Sequence, residues 1–146
     1  MKKTAVFLVY GLFFSLVTQP LLAEMPEGDA KRGELKFGAC RTCHYPEKVV
    51  GHNNGPSLWN IFNTKVGSQP GFDYYSDALK SADFVWTPVL MDVWLADPQK
   101  FLPGNMMMSL GIPDAQDRAD VIQYLKTFSK INLEAGSEKL SETFPQ

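Results

Sequence analysis

The pentapeptide Cys40-Arg41-Thr42-Cys43-His44 constrains what this chain can fold into more than any other stretch. Its two thiols are three positions apart, and an imidazole follows the second thiol directly. The spacing C-x-x-C-H is the attachment signature of c-type haem, in which the thiols add to the porphyrin vinyl groups and the imidazole reaches the iron. The pattern therefore predicts one haem c, attached covalently through Cys40 and Cys43, with His44 as a ligand of its iron.

Other roles for two neighbouring cysteines fit this sequence less well. A thioredoxin-like dithiol belongs in a βαβ pattern, and the chain shows no such pattern. A structural zinc site requires four ligands, and outside the pentapeptide His52 is the one remaining Cys or His. A disulfide across so small a loop would leave His44 unexplained. These comparisons favour the haem interpretation.

The N-terminus resembles an export signal. Lys2 and Lys3 precede an apolar run over residues 5–17, and residues 20–23 resemble a cleavage region. An uncleaved membrane anchor is the alternative, but the run is short for a spanning helix. We therefore expect a signal peptide over residues 1–23, cleaved near Ala23, a periplasmic location, and no stable membrane insertion after cleavage.

Length and charge limit the remaining possibilities. A chain of 146 residues corresponds to one domain. Without residues 1–23, which contain two lysines and no acidic residue, the formal net charge falls from −2 to −4. An acidic chain without clustered Lys and Arg is a poor partner for nucleic acid, so we expect none.

Capping residues and apolar periodicity predict an all-α domain over residues 24–130 with long loops, followed by a polar tail over residues 131–146. The stretch from Tyr45 to Phe72 is rich in Gly, Asn and Pro, and a loop of that length is uncommon unless it binds something. The predicted helices are Ala30 to about Gly38 capped by Asp29, Ser76 to Ser81, one that starts at Thr87-Pro88 and ends at Asp97-Pro98, and one capped by Asp114.

The second axial position of the iron decides between an open site and an electron-transfer site. His52 lies only eight residues after His44 and is expected to stabilise a loop on the same side of the ring. Met91 belongs to a helical apolar stripe and is expected in the core. The cluster Met106 to Met108 follows the turn Pro103–Asn105 and has no helical period to explain it. A thioether suits haem iron, so this cluster is the best source of the ligand, with flexible core filling as the alternative.

With these residues in place, the chain resembles class I c-type cytochromes, both mitochondrial-type and soluble bacterial proteins. The likeness covers about residues 28–130, nearly all of the expected mature chain. The matching motifs are Gly33 with Phe37, Cys40 to His44, Gly55 to Leu58, Pro70 to Phe72, Tyr75 to Ala78, Trp86, Pro103 to Met107, and Tyr124 to Lys126.

The resemblance implies a cytochrome c fold of about four to five short helices wrapped around one haem. It implies Met107 as the second ligand, because the family's methionine stands four residues after the loop proline. It also implies that the Pro56 carbonyl accepts from the His44 ring, and that Tyr75 and Trp86 donate to a haem propionate. Such a protein has no catalytic residues and is not an enzyme.

Several positions depart from the family pattern. Thr64, beside Lys65, replaces an arginine near the propionates; an insertion leaves Tyr74 as a competitor of Tyr75; and Trp94 replaces a tyrosine near the ligand sulfur. Arg41 and Thr42 are expected at the docking edge, with Arg41 as one of its few positive charges. The family's ring of lysines is replaced around the haem edge by a nearly neutral set, made up of Ala39, Asn53, Gln99, Met106, Pro113 and Asp114, with Lys100 retained.

These inferences predict a periplasmic monohaem electron carrier whose iron is bound by His44 and Met107. Its partners are expected to be redox proteins such as a dehydrogenase, a bc1-type complex or a terminal oxidase. Two alternatives stay open: an electron-accepting subunit of a dehydrogenase or oxidase complex, and a haem enzyme or gas sensor with a displaceable methionine.

Overall fold

The computed structural model describes residues 25–130. The predicted signal peptide and the predicted polar tail both lie outside the described residues. The described part is helical, as expected, and its one β feature is an isolated antiparallel bridge between Lys65 and Val85. The elements are α1 (Ala30–Phe37), a 3-10 turn (Cys40–Thr42), α2 (Asp77–Ser81), α3 (Pro88–Ala96), α4 (Pro98–Phe101) and α5 (Ala115–Lys126).

Each of these α-helices is preceded by a residue whose side chain accepts a hydrogen bond from the backbone N–H three positions on, which satisfies a free N–H of the first turn. The capping residues are Asp29, Ser76, Thr87, Asp97 and Asp114. The four predicted helices are confirmed to within a residue or two. Helix α4 was missed, because Asp97-Pro98 ends α3 and at once supplies a cap and an N1 proline for the next helix.

Helices α1 and α5 cross at very close range. A Cβ added to Gly33 would lie 2.0 Å from the carbonyl oxygen of Asp120, so only glycine fits at this position. One turn later Phe37 is 1% exposed, and its ring centre is 5.4 Å from that of Tyr124. The matching motif of Gly33 and Phe37 therefore packs α1 against α5.

The Asp120 carboxylate lies beside this crossing and is 1% exposed. Arg32 donates to both of its oxygens at 2.7 Å, and the backbone N–H of Asp29 donates to Oδ1 at 2.7 Å. The hydrogen bond from Arg32 holds the pKa of Asp120 well below its usual range. A buried carboxylate is thus fully paired, and it ties the N-terminus of α1 to α5.

The hydrophobic core packs helices α1 and α5 against α3 and against the long loop of residues 45–72. Met91, Trp94 and Leu95 are the buried stripe of α3, which confirms Met91 as a core residue. Within residues 25–130, no helix combines the length and the apolar character needed to cross a bilayer. The buried hydrophobic residues of the core are Phe37, Ile61, Phe62, Val66, Trp86, Met91, Trp94, Leu95, Val121, Ile122, Tyr124 and Leu125.

Candidate haem site

The C-x-x-C-H motif folds as a tight turn directly after α1. The backbone N–H groups of Cys43 and His44 donate to the Cys40 carbonyl at 3.0 and 2.8 Å. Both cysteines are free thiols of intermediate exposure, and burial raises the pKa of the Cys40 thiol. Two uncommitted thiols on one turn fit covalent attachment to the same edge of a porphyrin.

The His44 ring is held in one orientation. Its Nδ1–H donates to the Pro56 carbonyl at 2.7 Å, which is the hydrogen bond that the resemblance implies. A Cβ at Gly55 would lie 2.3 Å from His44 Cε1, so a glycine is needed where the ring packs on the loop. Burial lowers the pKa of His44 and favours the neutral imidazole. With Nδ1 occupied, the Nε2 lone pair is left for a metal ion, the usual arrangement of a ligating histidine.

His52 uses both ring nitrogens to join two loops. Its Nδ1 accepts from the Ser57 backbone N–H at 2.9 Å, and its Nε2 donates to the Pro70 carbonyl at 2.9 Å. No ring nitrogen is left for iron. The interpretation of His52 as a loop-stabilising histidine is therefore confirmed.

The three methionines of the methionine loop, residues 103–111, differ sharply in solvent exposure. Met106 is 64% exposed and Met108 is 102% exposed, whereas Met107 packs against the hydrophobic core. A turn with Gly104 at φ +86° leads into the loop from α4. The orientation of Met107 singles it out among the three.

Two amide side chains fix the backbone of Met107. Asn105 Oδ1 accepts from the Met107 N–H at 2.9 Å, and Gln99 Nε2 donates to the Met107 carbonyl at 3.2 Å. Sequence reasoning missed both roles and assigned Gln99 to the docking face alone. The signal that could have revealed Asn105 is its place directly after Pro-Gly, where an Asn side chain often closes a turn with the backbone two residues on.

The aromatic residues expected near the propionates differ in burial. Tyr75 is half-buried, its hydroxyl accepts from the Gln69 N–H at 3.3 Å, and burial raises its pKa. Tyr74 is 80% exposed, so burial favours Tyr75 over Tyr74 as the expected propionate donor. Trp86 is buried, with its ring centre 5.5 Å from that of Trp94. Their contact with a propionate stays a prediction.

Thr64 and Lys65 already have partners in the protein. The Thr64 hydroxyl donates to the Asn60 carbonyl at 2.7 Å, and the Lys65 ammonium lies 3.0 Å from the Asp83 carboxylate. The Lys65–Asp83 pair is largely exposed and holds the lysine on the surface. The expectation that the inner propionate lacks a strong cationic partner here remains a prediction.

Arg41 already has partners within the protein, and its expected role as a docking charge stays a prediction. Its guanidinium pairs with Glu47, donates to the Tyr124 hydroxyl at 2.9 Å, and lies 5.9 Å from the centre of the Phe37 ring. The charge is neutralised within the protein and braces the haem motif against α1 and α5. The other expected docking positions are exposed, namely Ala39, Asn53, Gln99, Lys100, Met106, Pro113 and Asp114.

Comparison with known proteins points to one family, although no protein-family model matches the chain. Cytochrome c of Chlamydomonas reinhardtii is 42% identical over 105 residues, which cover 71% of this chain and 93% of the relative. Cytochrome c2 of Rhodomicrobium vannielii is 39% identical over 100 residues, covering 68% and 79%. The solved structure of cytochrome cH from Methylobacterium extorquens has a TM-score of 0.64 at 40% identity and covers 68% of this chain and 99% of its own.

The helical fold, the C-x-x-C-H turn and the oriented histidine define a small single-haem protein of the c type. Together with relatives at this identity and coverage, they show that the chain belongs to the cytochrome c family, as a class I c-type cytochrome. Its cofactor is one haem c, attached covalently through Cys40 and Cys43. Electron transfer with redox partners is the function of the chain at this level of description.

Proposed function

We propose that this chain is a periplasmic carrier of single electrons whose haem iron is bound by His44 and Met107. One observation carries the ligand assignment: Met107 packs inward while both neighbouring methionines are exposed. His44 supports it, because its Nδ1 is fixed on Pro56 and its Nε2 makes no hydrogen bond to residues 25–130.

The bound haem supplies the redox chemistry, since its iron accepts and releases one electron. The residues of the chain hold the iron's surroundings constant. The Pro56 hydrogen bond keeps the His44 ring in one orientation, and the hydrogen bonds of the methionine loop hold the backbone of Met107, which would supply the second ligand. Buried rings, among them Trp86 and Trp94, exclude water, and a dry pocket with a thioether ligand favours the ferrous state. The reduction potential is therefore expected to be positive.

Location and partners follow from features outside the site. The N-terminal lysines and the apolar run over residues 5–17 support export to the periplasm. The exposed, nearly neutral positions around the haem edge support docking to a redox protein without strong electrostatic steering. A dehydrogenase, a bc1-type complex or a terminal oxidase would fit as donor or acceptor. No catalytic residue is assigned, because electron transfer transforms no substrate on this chain.

The ligand assignment is tested by the absorption spectrum of the oxidised protein. Iron bound by histidine and methionine shows a weak far-red band from sulfur-to-iron charge transfer. We expect this band in the wild type, its loss in Met107→Ala, and its retention in the matched controls Met106→Ala and Met108→Ala. Survival of the band in Met107→Ala, or its absence in the wild type, would remove the assignment.

Carbon monoxide separates the carrier from a haem enzyme or gas sensor. A carrier with Met107 firmly on the iron should not bind carbon monoxide in its untreated ferrous form, whereas Met107→Ala should. Ready binding by the wild type would favour the enzyme or sensor alternative.

A further inference from the structure

The backbone of the methionine loop has few hydrogen bonds of its own. Among the described residues, the backbone groups of residues 106–110 that make hydrogen bonds are the N–H and the carbonyl of Met107. Both go to amide side chains, Asn105 and Gln99. The residue that faces the core is therefore the one whose backbone is held.

Asn105 is itself anchored firmly. Its side chain is buried, and Nδ2 donates to the carbonyls of Pro98 and Leu102, each at 2.8 Å. Its Oδ1 accepts from the Met107 N–H at 2.9 Å and from Gln99 Nε2 at 3.3 Å. Both donors and the acceptor are in use, so the amide ties Met107 to helix α4.

Gln99 completes the arrangement from the surface of α4. Its Nε2 lies within hydrogen-bond distance of the Asn105 carbonyl at 3.3 Å and the Met107 carbonyl at 3.2 Å. Its amide therefore spans the stretch from Asn105 to Met107 from outside, while Asn105 holds the same stretch from inside. We call this pair the amide clamp.

We propose that the amide clamp of Asn105 and Gln99 is the positioning device that sets how firmly the Met107 sulfur stays on the iron. The inference rests on the proposed ligation by Met107. An unheld loop would spend part of its time with the sulfur withdrawn, and any competing ligand would then bind the iron in proportion to that open fraction. The clamp raises the fraction of time in which the sulfur stays on the iron, because it restricts the backbone of Met107 itself.

Imidazole titration of the oxidised, haem-loaded full chain measures that open fraction. We expect Asn105→Ala to bind imidazole about tenfold more tightly than the wild type, because a net hydrogen bond contributes on the order of fivefold and at least one other anchor is lost with it. Asn105→Ser should lie between them, since a hydroxyl can accept from the Met107 N–H more weakly. Gln99→Ala, at an exposed position, should show about a threefold increase.

Ser109→Ala is the matched control. It removes a hydrogen bond from the same loop, that of the Gly111 N–H to Ser109 Oγ at 3.1 Å, and does not touch Met107. Its imidazole affinity should stay within about twofold of the wild type. An equal rise in Ser109→Ala would mean that general loop stability matters and would overturn the clamp.

Failure of the clamp proposal and failure of the ligand assignment give different results. If Met107→Ala loses the far-red band but both clamp variants bind imidazole as the wild type does, the clamp is wrong and the ligand assignment stands. If the wild type lacks the band and binds imidazole as tightly as Met107→Ala, both the clamp and the ligand assignment are wrong. Gln99→Ala keeps the test decisive should Asn105→Ala fail to fold, because an exposed side chain is replaced there.

Discussion

At the crossing of α1 and α5, a Cβ on Gly33 would stand 2.0 Å from the Asp120 carbonyl oxygen, and two helix backbones pack almost in contact. In the methionine loop, by contrast, Met106, Met108 and Leu110 are exposed. The amide side chains of Asn105 and Gln99 hold the backbone of Met107. The crossing is stabilised by continuous packing and by an ion pair between the buried Asp120 carboxylate and the exposed Arg32. The loop is stabilised by a few directed hydrogen bonds.

This difference indicates where the molecule is rigid and where its redox properties can be adjusted. Changes at the crossing must be absorbed by packed backbone, so they act on the stability of the whole domain. Changes in the loop act on one side chain and leave the core in place. Substitutions at the two regions should therefore separate into stability effects and spectroscopic effects.

The largest effect is expected from Gly33→Ala. The added methyl group overlaps the Asp120 carbonyl and has no flexible neighbour to displace, so α1 and α5 must move apart. We expect a loss of about 2 kcal/mol or more in the free energy of unfolding, measured by urea denaturation of the haem-loaded protein. Gly38→Ala is the control at the end of the same helix. It should change stability by less than about 1 kcal/mol, because its backbone is already helical.

Asp120→Asn should destabilise the same crossing in a pH-dependent way. Arg32 lowers the pKa of Asp120 below the ordinary value of 3.8, so the stability that the carboxylate contributes is present above that value. It is lost as the pH falls toward the folded-state pKa. The gap in urea midpoint between wild type and variant should be widest near about pH 7 and narrow at about pH 3. A gap that does not change with pH would show that the charge of Asp120 contributes nothing.

Met106→Ser and Met108→Ser should have small effects on the folded protein. Both side chains lie largely in solvent, so the free energy of unfolding should change by less than about 0.5 kcal/mol. The far-red band should keep its position and intensity. A loss of the band in either variant would mean that the loop exchanges its methionines and that Met107 is not uniquely positioned.

The smallest response is expected from salt. Residues 101–113 contain no charged side chain, and Arg41 is paired with Glu47 rather than free at the haem edge. The rate of electron transfer to the natural redox partner should therefore fall less than about threefold when ionic strength rises tenfold from about 0.01 M. A steep decline, measured by stopped-flow spectroscopy, would show that charged residues elsewhere guide docking.

Much of the fold was predictable because its determinants are local. A capping side chain and the helix it begins lie within three or four residues of each other, and the starts at Asp29, Ser76, Thr87 and Asp114 follow. The haem motif is equally local. Helix α4 was missed because one Asp-Pro pair both ends a helix and begins the next, a double use that the breaker signal conceals.

The sequence by itself determined the haem attachment turn, the order of helices and the family, because each rests on residue types at short spacing. The resemblance already implied Met107, but only the tertiary structure showed that it packs inward between two exposed methionines. Only the tertiary structure showed that Tyr75 is more buried than Tyr74, that Arg41 pairs with Glu47 and Tyr124, and that Asn105 and Gln99 hold Met107. These outcomes depend on partners brought together by folding. A side chain's burial and its long-range hydrogen bonds are properties of the folded chain and not of a local pattern. The hydrogen bond from the Met107 N–H to Asn105, signalled by the Pro-Gly before it, is the local exception.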